Sequence, residues 1–255
     1  MTQNWEAFST NPDRRVGTEA RKTYDLKLKN GFIEKYLSGS AILDIGYKGY
    51  ESDVLPIVPQ AIGVDLDYPG YDGEMLPFAT ASQDAVFSSH CLEHVKDARA
   101  TIREWFRVLR IGGFLVVCVP HQYLYERRIE LPSPWNLDHR RFYTPATLMA
   151  DVEAALEPNS YRVRHLIDND LGYDYAIPLH QHPGGCYEIE LVLERIAPPV
   201  WRLGEPAEPE GVTAVFSSGM LTAGMLTAEQ SVKAVRGYIK RLHRTLVSLG
   251  RSLKP

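Results

Sequence analysis

Short apolar runs alternate with amphipathic segments between residues 41 and 120, and this alternation restricts the possible folds more than any other feature of the chain. The runs lie at residues 41–46, 61–65, 84–89 and 114–119. Their length and their apolar residues are typical of strands buried in a parallel sheet. A segment at residues 96–110 carries its apolar side chains on one helical face. The pattern predicts an α/β fold in which ligands bind beyond the carboxyl ends of the strands.

Further elements are predicted on both sides of this region. Helices are expected at residues 18–37 and 144–156, and a closing antiparallel pair of strands at residues 161–167 and 187–193. Gly112 and Gly113 are expected to end the helix at residues 96–110, because glycine commonly stops a helix.

The composition is that of an ordinary globular protein, with 44% hydrophobic and 24% charged residues among 255. The net charge of -4 gives no basic field, so no nucleic-acid partner is predicted. The three cysteines are far apart and form no C-x-x-C pair, which argues against a disulfide framework or a zinc site and favours a reducing compartment. We see neither a signal peptide nor a membrane span, and we expect a cytoplasmic protein.

The composition changes near residue 200. Residues 1–200 are expected to form the main domain, residues 201–225 a linker rich in Pro and Glu, and residues 226–255 a basic amphipathic helix. Apolar residues at alternating spacings of three and four suggest a coiled coil with itself or a partner through residues 228–253. Contact with an anionic membrane surface, peripheral to the inner membrane, and packing back on the main domain are the alternatives.

Five motifs in a fixed order resemble those of class I S-adenosylmethionine (SAM)-dependent methyltransferases of the type 11 kind. They are Leu43-Asp44-Ile45-Gly46, Gly63-Val64-Asp65, Leu76-Pro77-Phe78, Leu92-Glu93-His94-Val95 and Arg107-Val108-Leu109-Arg110-Ile111-Gly112-Gly113. The resemblance implies that residues 1–200 form a doubly wound, Rossmann-like methyltransferase sheet and an enzyme that uses SAM. A nicotinamide-binding domain would need G-x-G-x-x-G, which the loop after Gly46 lacks. The stretch between Asp65 and Asp84 is too short for the helix and strand usual in the family. The family's third strand lies at an edge of the sheet, so this third-strand edge is expected to be trimmed.

The resemblance also implies a set of cofactor-binding residues. Asp44 and Gly46 would approach the methionine part of SAM, Asp65 would bind the ribose hydroxyls, and Asp72 would accept from the adenine amino group. The complete expected set is Asp44, Gly46, Tyr47, Lys48, Asp65, Leu66, Asp72, Met75, Ser89 and His90. Lys48 and Tyr50 stand where the family usually has glycines. Lys48 is expected either to pair with the methionine carboxylate or to remain a solvated loop lysine.

Two histidines are candidates for the general base that an alcohol acceptor needs. His121 follows a predicted strand and is the first choice; a loop histidine with a structural role is the alternative. His139 is the second choice, with Asp138 to orient its ring and Arg140 or Arg141 to hold an anion.

Other histidines carry weaker predictions. His94, inside its motif, is interpreted as structural. His180 and His182 could bind a metal only with a third ligand, so no metal is assigned. Aromatic residues near the expected cleft would suit a polyhydroxy acceptor; they are Tyr123, Tyr125, Trp135, Tyr173 and Tyr175.

Residues 132–190, which include His-Arg-Arg-Phe-Tyr-Thr-Pro, are similar to methyltransferases of bacterial surface-polysaccharide synthesis. This similarity implies O-methylation of a saccharide or nucleotide-sugar hydroxyl, with a small molecule or saccharide as the partner. A methyltransferase-like binding or scaffold subunit without activity, and an enzyme that methylates carbon or nitrogen of a small metabolite, are the alternatives.

Overall fold

The computed structural model describes residues 15–17, 19–49, 53–201 and 204. These residues form helices and strands in a mixed order. In chain order they are α1 (Arg21–Lys29), α2 (Phe32–Tyr36), β1 (Ile42–Ile45), β2 (Ala61–Val64), β3 (Gln83–Ser89), α3 (Ala98–Val108), β4 (Leu109–Pro120), a π-helical turn (Gln122–Glu126), α4 (Pro145–Ala155), β5 (Tyr161–Asn169) and β6 (Glu188–Arg195).

The strands form one sheet in the order β2-β1-β3-β4-β6-β5. Strands β2, β1, β3 and β4 are parallel, whereas β6 is antiparallel to both β4 and β5. The parallel sheet and the closing antiparallel pair predicted from the sequence are therefore confirmed. Strand β2 forms one edge, and no described strand lies beyond it, as expected for a trimmed third-strand edge.

Apolar side chains fill both faces of the sheet. Along β4, Leu115 and Val117 belong to the core under α3 and α4, whereas Val116 and Cys118 belong to the core under α1 and α2. Successive residues of a strand point to opposite faces, so this division places helices on both sides of the sheet. The sheet is doubly wound, and its central strands are buried.

Two helix predictions are wrong in their boundaries. The single helix expected at residues 18–37 is two helices, because Gly31 adopts a φ of 75° between them and Asn30 accepts a bond from the backbone N–H of Phe32. The glycines at 112 and 113 do not end α3: the helix ends at Val108, and both glycines lie inside β4. A Cβ on Gly113 would lie 2.9 Å from the carbonyl oxygen of Asp84, so close packing accounts for this glycine.

The helix starts follow the capping rules. The Asp97 side chain accepts from the backbone N–H of Ala100 at 3.0 Å at the start of α3. Thr144 and Thr147 form a reciprocal capping box at the start of α4, where the sequence predicted a helix.

The predicted linker and basic helix lie outside the described residues, apart from residues 201 and 204. None of the described helices has the length and apolar character needed to cross a bilayer.

Candidate active site

A cavity of about 370 Å³ lies beyond the carboxyl ends of β1, β2 and β3. This is the edge of a parallel sheet at which ligands generally bind. Seven of the ten predicted cofactor residues line its wall: Asp44, Gly46, Tyr47, Asp65, Leu66, Ser89 and His90. The other three, Lys48, Asp72 and Met75, are not in the wall.

Gly46 lets the backbone after β1 pass close to the cavity. Its φ is 73°, and its N–H donates to the carbonyl of Val64 at 2.8 Å. A Cβ at this position would lie 2.7 Å from the Sγ atom of Cys91. Glycine is therefore required both by the backbone conformation and by the space, as expected where a backbone must approach a ligand closely.

The two acidic residues predicted from the motifs have different surroundings. Asp44 is buried, and its Oδ2 accepts from the backbone N–H of Ile57 at 2.6 Å, which ties β1 to the following loop. Asp65 is partly exposed in the cavity wall and accepts from the backbone N–H groups of Leu66 at 2.8 Å and Lys48 at 3.3 Å. Since a carboxylate has about four acceptor positions, Asp65 has acceptor capacity left for the hydroxyls of a ribose.

Lys48 is turned to another partner. Its ammonium pairs with the carboxylate of Asp67, and this bond raises the pKa of Lys48. The cofactor loop therefore keeps this side chain out of the cavity wall. Tyr50 lies outside the described residues. The pairing of Lys48 with the methionine carboxylate stays a prediction.

Asp72 and Met75 line a separate surface depression. The Oδ1 atom of Asp72 accepts from the backbone N–H groups of Met75 at 2.7 Å and Glu74 at 2.9 Å, and these bonds lower the pKa of Asp72. The side chain thus closes its own turn. Its contact with adenine stays a prediction.

Of the two predicted bases, the structure brings His139 to the cavity. Its Nδ1 atom lies 2.5 Å from Oε1 of Glu126, and both side chains are buried. His121 is outside the wall: its Nδ1 accepts from the backbone N–H of Tyr123 at 3.0 Å, and burial lowers the pKa of His121. These contacts agree with a structural role for His121.

Three functional candidates were missed or undervalued in the sequence. Glu93 is fully buried in the wall, neither of its oxygens has a hydrogen-bond partner among the described residues, and burial raises the pKa of Glu93 to about 8. His94, interpreted as structural, also lines the cavity, with its Nε2 atom 3.7 Å from Oε1 of Glu93. The motif that named His94 could have indicated Glu93. Glu126 carried no comparable signal.

His90 begins the turn after β3 with an uncommon backbone. Its φ is 51°, and its Nδ1 atom is 3.1 Å from the Ser89 hydroxyl. Burial lowers the pKa of His90 to about 4, so the ring is neutral at neutral pH. A neutral imidazole can hydrogen-bond a ligand without adding a positive charge beside a sulfonium.

Aromatic residues form a small cluster at one end of the cavity. Of the five aromatic residues expected near the cleft, Tyr125 is in the wall. Trp135 donates from Nε1 to the carbonyl of Tyr125 at 3.0 Å, and the Tyr173 hydroxyl donates to the carbonyl of Leu124 at 2.8 Å. These two bonds hold the backbone around Tyr125 in place, and neither Trp135 nor Tyr173 lines the cavity.

A sequence model for a methyltransferase domain matches residues 51–117. The matched stretch includes Asp65 and Glu93 but not β1. No curated protein sequence matches the chain significantly.

The chain is also similar to solved structures of methyltransferases, three of which follow. A SAM-dependent methyltransferase from Archaeoglobus fulgidus is 14% identical, with a TM-score of 0.45, over 69% of this chain and 97% of that one. One from Aquifex aeolicus is 14% identical, with a TM-score of 0.43, over 70% of this chain and 93% of that one. A putative methyltransferase from Haloferax volcanii, in complex with the activator Trm112, is 13% identical, with a TM-score of 0.42, over 71% of this chain and 98% of that one.

Proposed function

We propose that this methyl-transferring enzyme, whose methyl donor is S-adenosylmethionine, methylates a hydroxyl oxygen of a small polyhydroxylated acceptor. One observation carries the proposal. The cavity at the ends of β1 and β2, where the cofactor residues cluster, also contains the imidazole of His139, which is hydrogen-bonded to the buried carboxylate of Glu126.

The residues at the strand ends fit the cofactor. S-Adenosylmethionine supplies an electrophilic methyl group on a sulfonium, which leaves as a neutral thioether. Gly46 provides a backbone that a ligand can approach closely, and Asp65 has acceptor positions for a diol. Phe87 and Leu66 add apolar wall, which helps to exclude water from the reacting atoms.

Oxygen is favoured over carbon or nitrogen because of the groups beside the cavity. An alcohol must lose a proton during attack, whereas a neutral amine can attack without a base. Glu93, His94 and His139 bring two imidazoles and a carboxyl group to one wall, together with Glu126 behind His139. An amine acceptor would not need such a group of proton-binding side chains.

The saccharide or nucleotide-sugar class is the one that the sequence resemblance of residues 132–190 implies, and polar wall residues are compatible with it. Asn136 and Glu19 line the cavity and can bond hydroxyl groups. The proton of the acceptor hydroxyl is removed at the wall that carries His139, and His121 has no part in this step.

The test has two stages. Calorimetric titration with SAM and with its demethylated product checks cofactor binding, and absence of binding would defeat the enzyme proposal. Incubation with SAM and a panel of free sugars and nucleotide sugars, followed by mass spectrometry and NMR, should then show a methyl ether. A product methylated on nitrogen or carbon would contradict the oxygen assignment. His139→Ala should reduce turnover by about 100-fold or more, whereas the matched variant His121→Ala should keep it.

A further inference from the structure

Two imidazoles and one carboxyl group meet in the cavity wall. Glu93, His94 and His139, which we call the histidine-glutamate cluster, each offer one ligand atom, and these atoms lie within 4.8 Å of one another. The Nε2 atoms of His94 and His139 are 3.7 Å and 3.9 Å from Oε1 of Glu93. These distances are too long for hydrogen bonds.

Glu93 lacks the partners that a buried carboxyl group normally has. Its side chain is 0% exposed, and neither oxygen has a hydrogen-bond partner among the described residues. Buried polar groups in native proteins are almost always bonded to protein, water or an ion. Oε1 of Glu93 faces the two imidazoles, so its missing partner belongs between these three side chains.

The ring of His139 is oriented from behind. Its Nδ1 atom is 2.5 Å from Oε1 of Glu126, so the N–H on that side is bound to a carboxylate. The lone pair of Nε2 is then directed into the cluster. A carboxylate behind the ring is the usual companion of a metal-binding histidine, because it fixes the tautomer and makes the other nitrogen more basic.

The backbone holds the two contributing segments together. Glu93 and His94 lie in the turn after β3, and His139 lies in the loop before α4. The backbone N–H of Arg140 donates to the carbonyl oxygen of Glu93 at 2.9 Å. The arrangement of the cluster is therefore fixed by main-chain contact as well as by side chains.

We propose that the histidine-glutamate cluster binds one divalent transition metal ion of the zinc class, with an open coordination position towards the cavity. Two imidazoles and one carboxylate are a ligand set suited to zinc. Tetrahedral ligands at about 2.1 Å from the metal are separated by about 3.4 Å. The two Glu93–imidazole distances of 3.7 Å and 3.9 Å must therefore shorten by a few tenths of an ångström, and no pair in the cluster, all within 4.8 Å, must shorten by more than about 1.4 Å. The group lies on the turn after β3 and the loop before α4 and includes neither His180 nor His182, the pair considered from the sequence.

The proposed ion deepens the proposed function and rests on it for its chemical role. An acceptor hydroxyl at the open position becomes more acidic, because a bound cation stabilises the alkoxide. With the ion bound, the imidazole of His139 acts as a ligand rather than as the base, and the hydroxyl proton passes to solvent. The alkoxide oxygen then forms a bond to the methyl carbon as the carbon–sulfur bond breaks, and the sulfonium becomes a neutral thioether without any change of oxidation state.

The test measures the metal directly, without cofactor or acceptor. The full chain is stripped with a chelator and titrated calorimetrically with Zn²⁺. We expect about one equivalent to bind, and the Co²⁺-loaded protein to show the visible absorption of a four-coordinate site. His94→Ala, His139→Ala and Glu93→Gln should each weaken Zn²⁺ binding by more than about 100-fold, and Glu126→Gln by about 10- to 100-fold.

The control is His180→Ala, which removes an exposed histidine outside the cluster and should leave Zn²⁺ binding unchanged. Absence of one-equivalent binding, unchanged binding in His139→Ala, or loss in His180→Ala would each overturn the proposal. Glu93 is buried, so a variant at this position can unfold. If Glu93→Gln unfolds, the Zn²⁺ affinity of His94→Ala decides whether the cluster binds the ion, because His94 is partly exposed. Titration of the metal-free protein with SAM separates the two proposals: SAM binding without Zn²⁺ binding refutes only the metal site.

Discussion

The Nδ1 atom of His139 lies 2.5 Å from Oε1 of Glu126, although the two residues belong to different segments of the chain. Glu126 ends the π-helical turn after β4, whereas His139 lies in the loop that leads to α4. Both side chains are buried, so solvent does not weaken the bond between them. The π-helical turn therefore determines how the imidazole faces the cavity.

Replacing Glu126 by glutamine should lower turnover while leaving cofactor affinity unchanged. The amide keeps the shape of the side chain but removes the charge that supports the ring of His139. We expect kcat for the identified acceptor to fall by about 10- to 100-fold. The Kd for SAM, measured by calorimetry, should stay within about 2-fold, because Glu126 does not line the part of the wall with Gly46 and Asp65. An equal change in both quantities would point to a general disturbance of the fold.

Replacing Asp65 by alanine should weaken SAM binding. The carboxylate lines the cavity and can accept bonds from two hydroxyls. Loss of bonds to a charged acceptor corresponds to about a 10- to 100-fold increase in the Kd. Asp72→Ala is the control variant. Asp72 lines a separate depression, so the Kd of this variant for SAM should stay within about 3-fold of the native value. A large loss in Asp72→Ala would support the adenine contact predicted from the sequence.

Replacing Gly46 by alanine should destabilise the protein more than the same change at Gly172. Both glycines have a positive φ, 73° and 69°. At Gly46 the new Cβ would lie 2.7 Å from the Cys91 sulfur, whereas at Gly172 it would meet nothing within 4 Å. Backbone strain alone should lower the free energy of unfolding by about 1 kcal/mol in Gly172→Ala. Strain together with overpacking should lower it by about 2–4 kcal/mol in Gly46→Ala. Denaturant unfolding of both variants without ligand measures these two losses. Equal losses of unfolding free energy in the two variants would contradict the prediction.

The free energy of unfolding should fall as the pH is lowered from about 6.5 to 4, partly because of His90. Burial lowers the pKa of His90 from 6.5 in the unfolded chain to about 4 in the folded protein. Between these values the unfolded state binds more protons, so this contribution is fully present above pH 6.5 and is lost as the pH falls towards 4. Its size is at most about 3 kcal/mol.

His90→Asn isolates the effect, because asparagine tolerates a positive φ and does not titrate. The titratable groups near His90 are Glu19, Glu188, Lys22, Lys27 and His139, and they are the same in both proteins. We expect a flatter dependence of the unfolding free energy on pH in the variant. Parallel curves for the two proteins would show that His90 is protonated equally in both states.

The sheet could be predicted from the sequence because its signals are local. Apolar runs of β-strand length ending in Gly46 or Asp65 locate β1 and β2, and Thr144 locates the start of α4. The break at Gly31 was missed because the apolar residues keep their helical spacing through it. Gly113 was misjudged because its small size serves contact with the chain at Asp84, which lies far away in sequence.

The candidate site could be predicted only in part, for a related reason. The cofactor residues that follow strands share one edge of the sheet, and Asp65 and Gly46 do meet there. The pairing of His139 with Glu126 depends on how the loops after β4 fold, which no periodicity records. The positions of His121 and His139 along the chain also gave no means to tell which one reaches the cavity.

The two edges of the sheet have a consequence for how the protein behaves at high concentration. An unpaired strand edge invites a second chain to add to the sheet. Strand β2 is four residues long and offers few free backbone groups. Strand β5 is longer, but it carries Arg162 and Arg164 and an irregularity between Val163 and His165. Short length at one edge, and charge with a bulge at the other, oppose aggregation through strand addition.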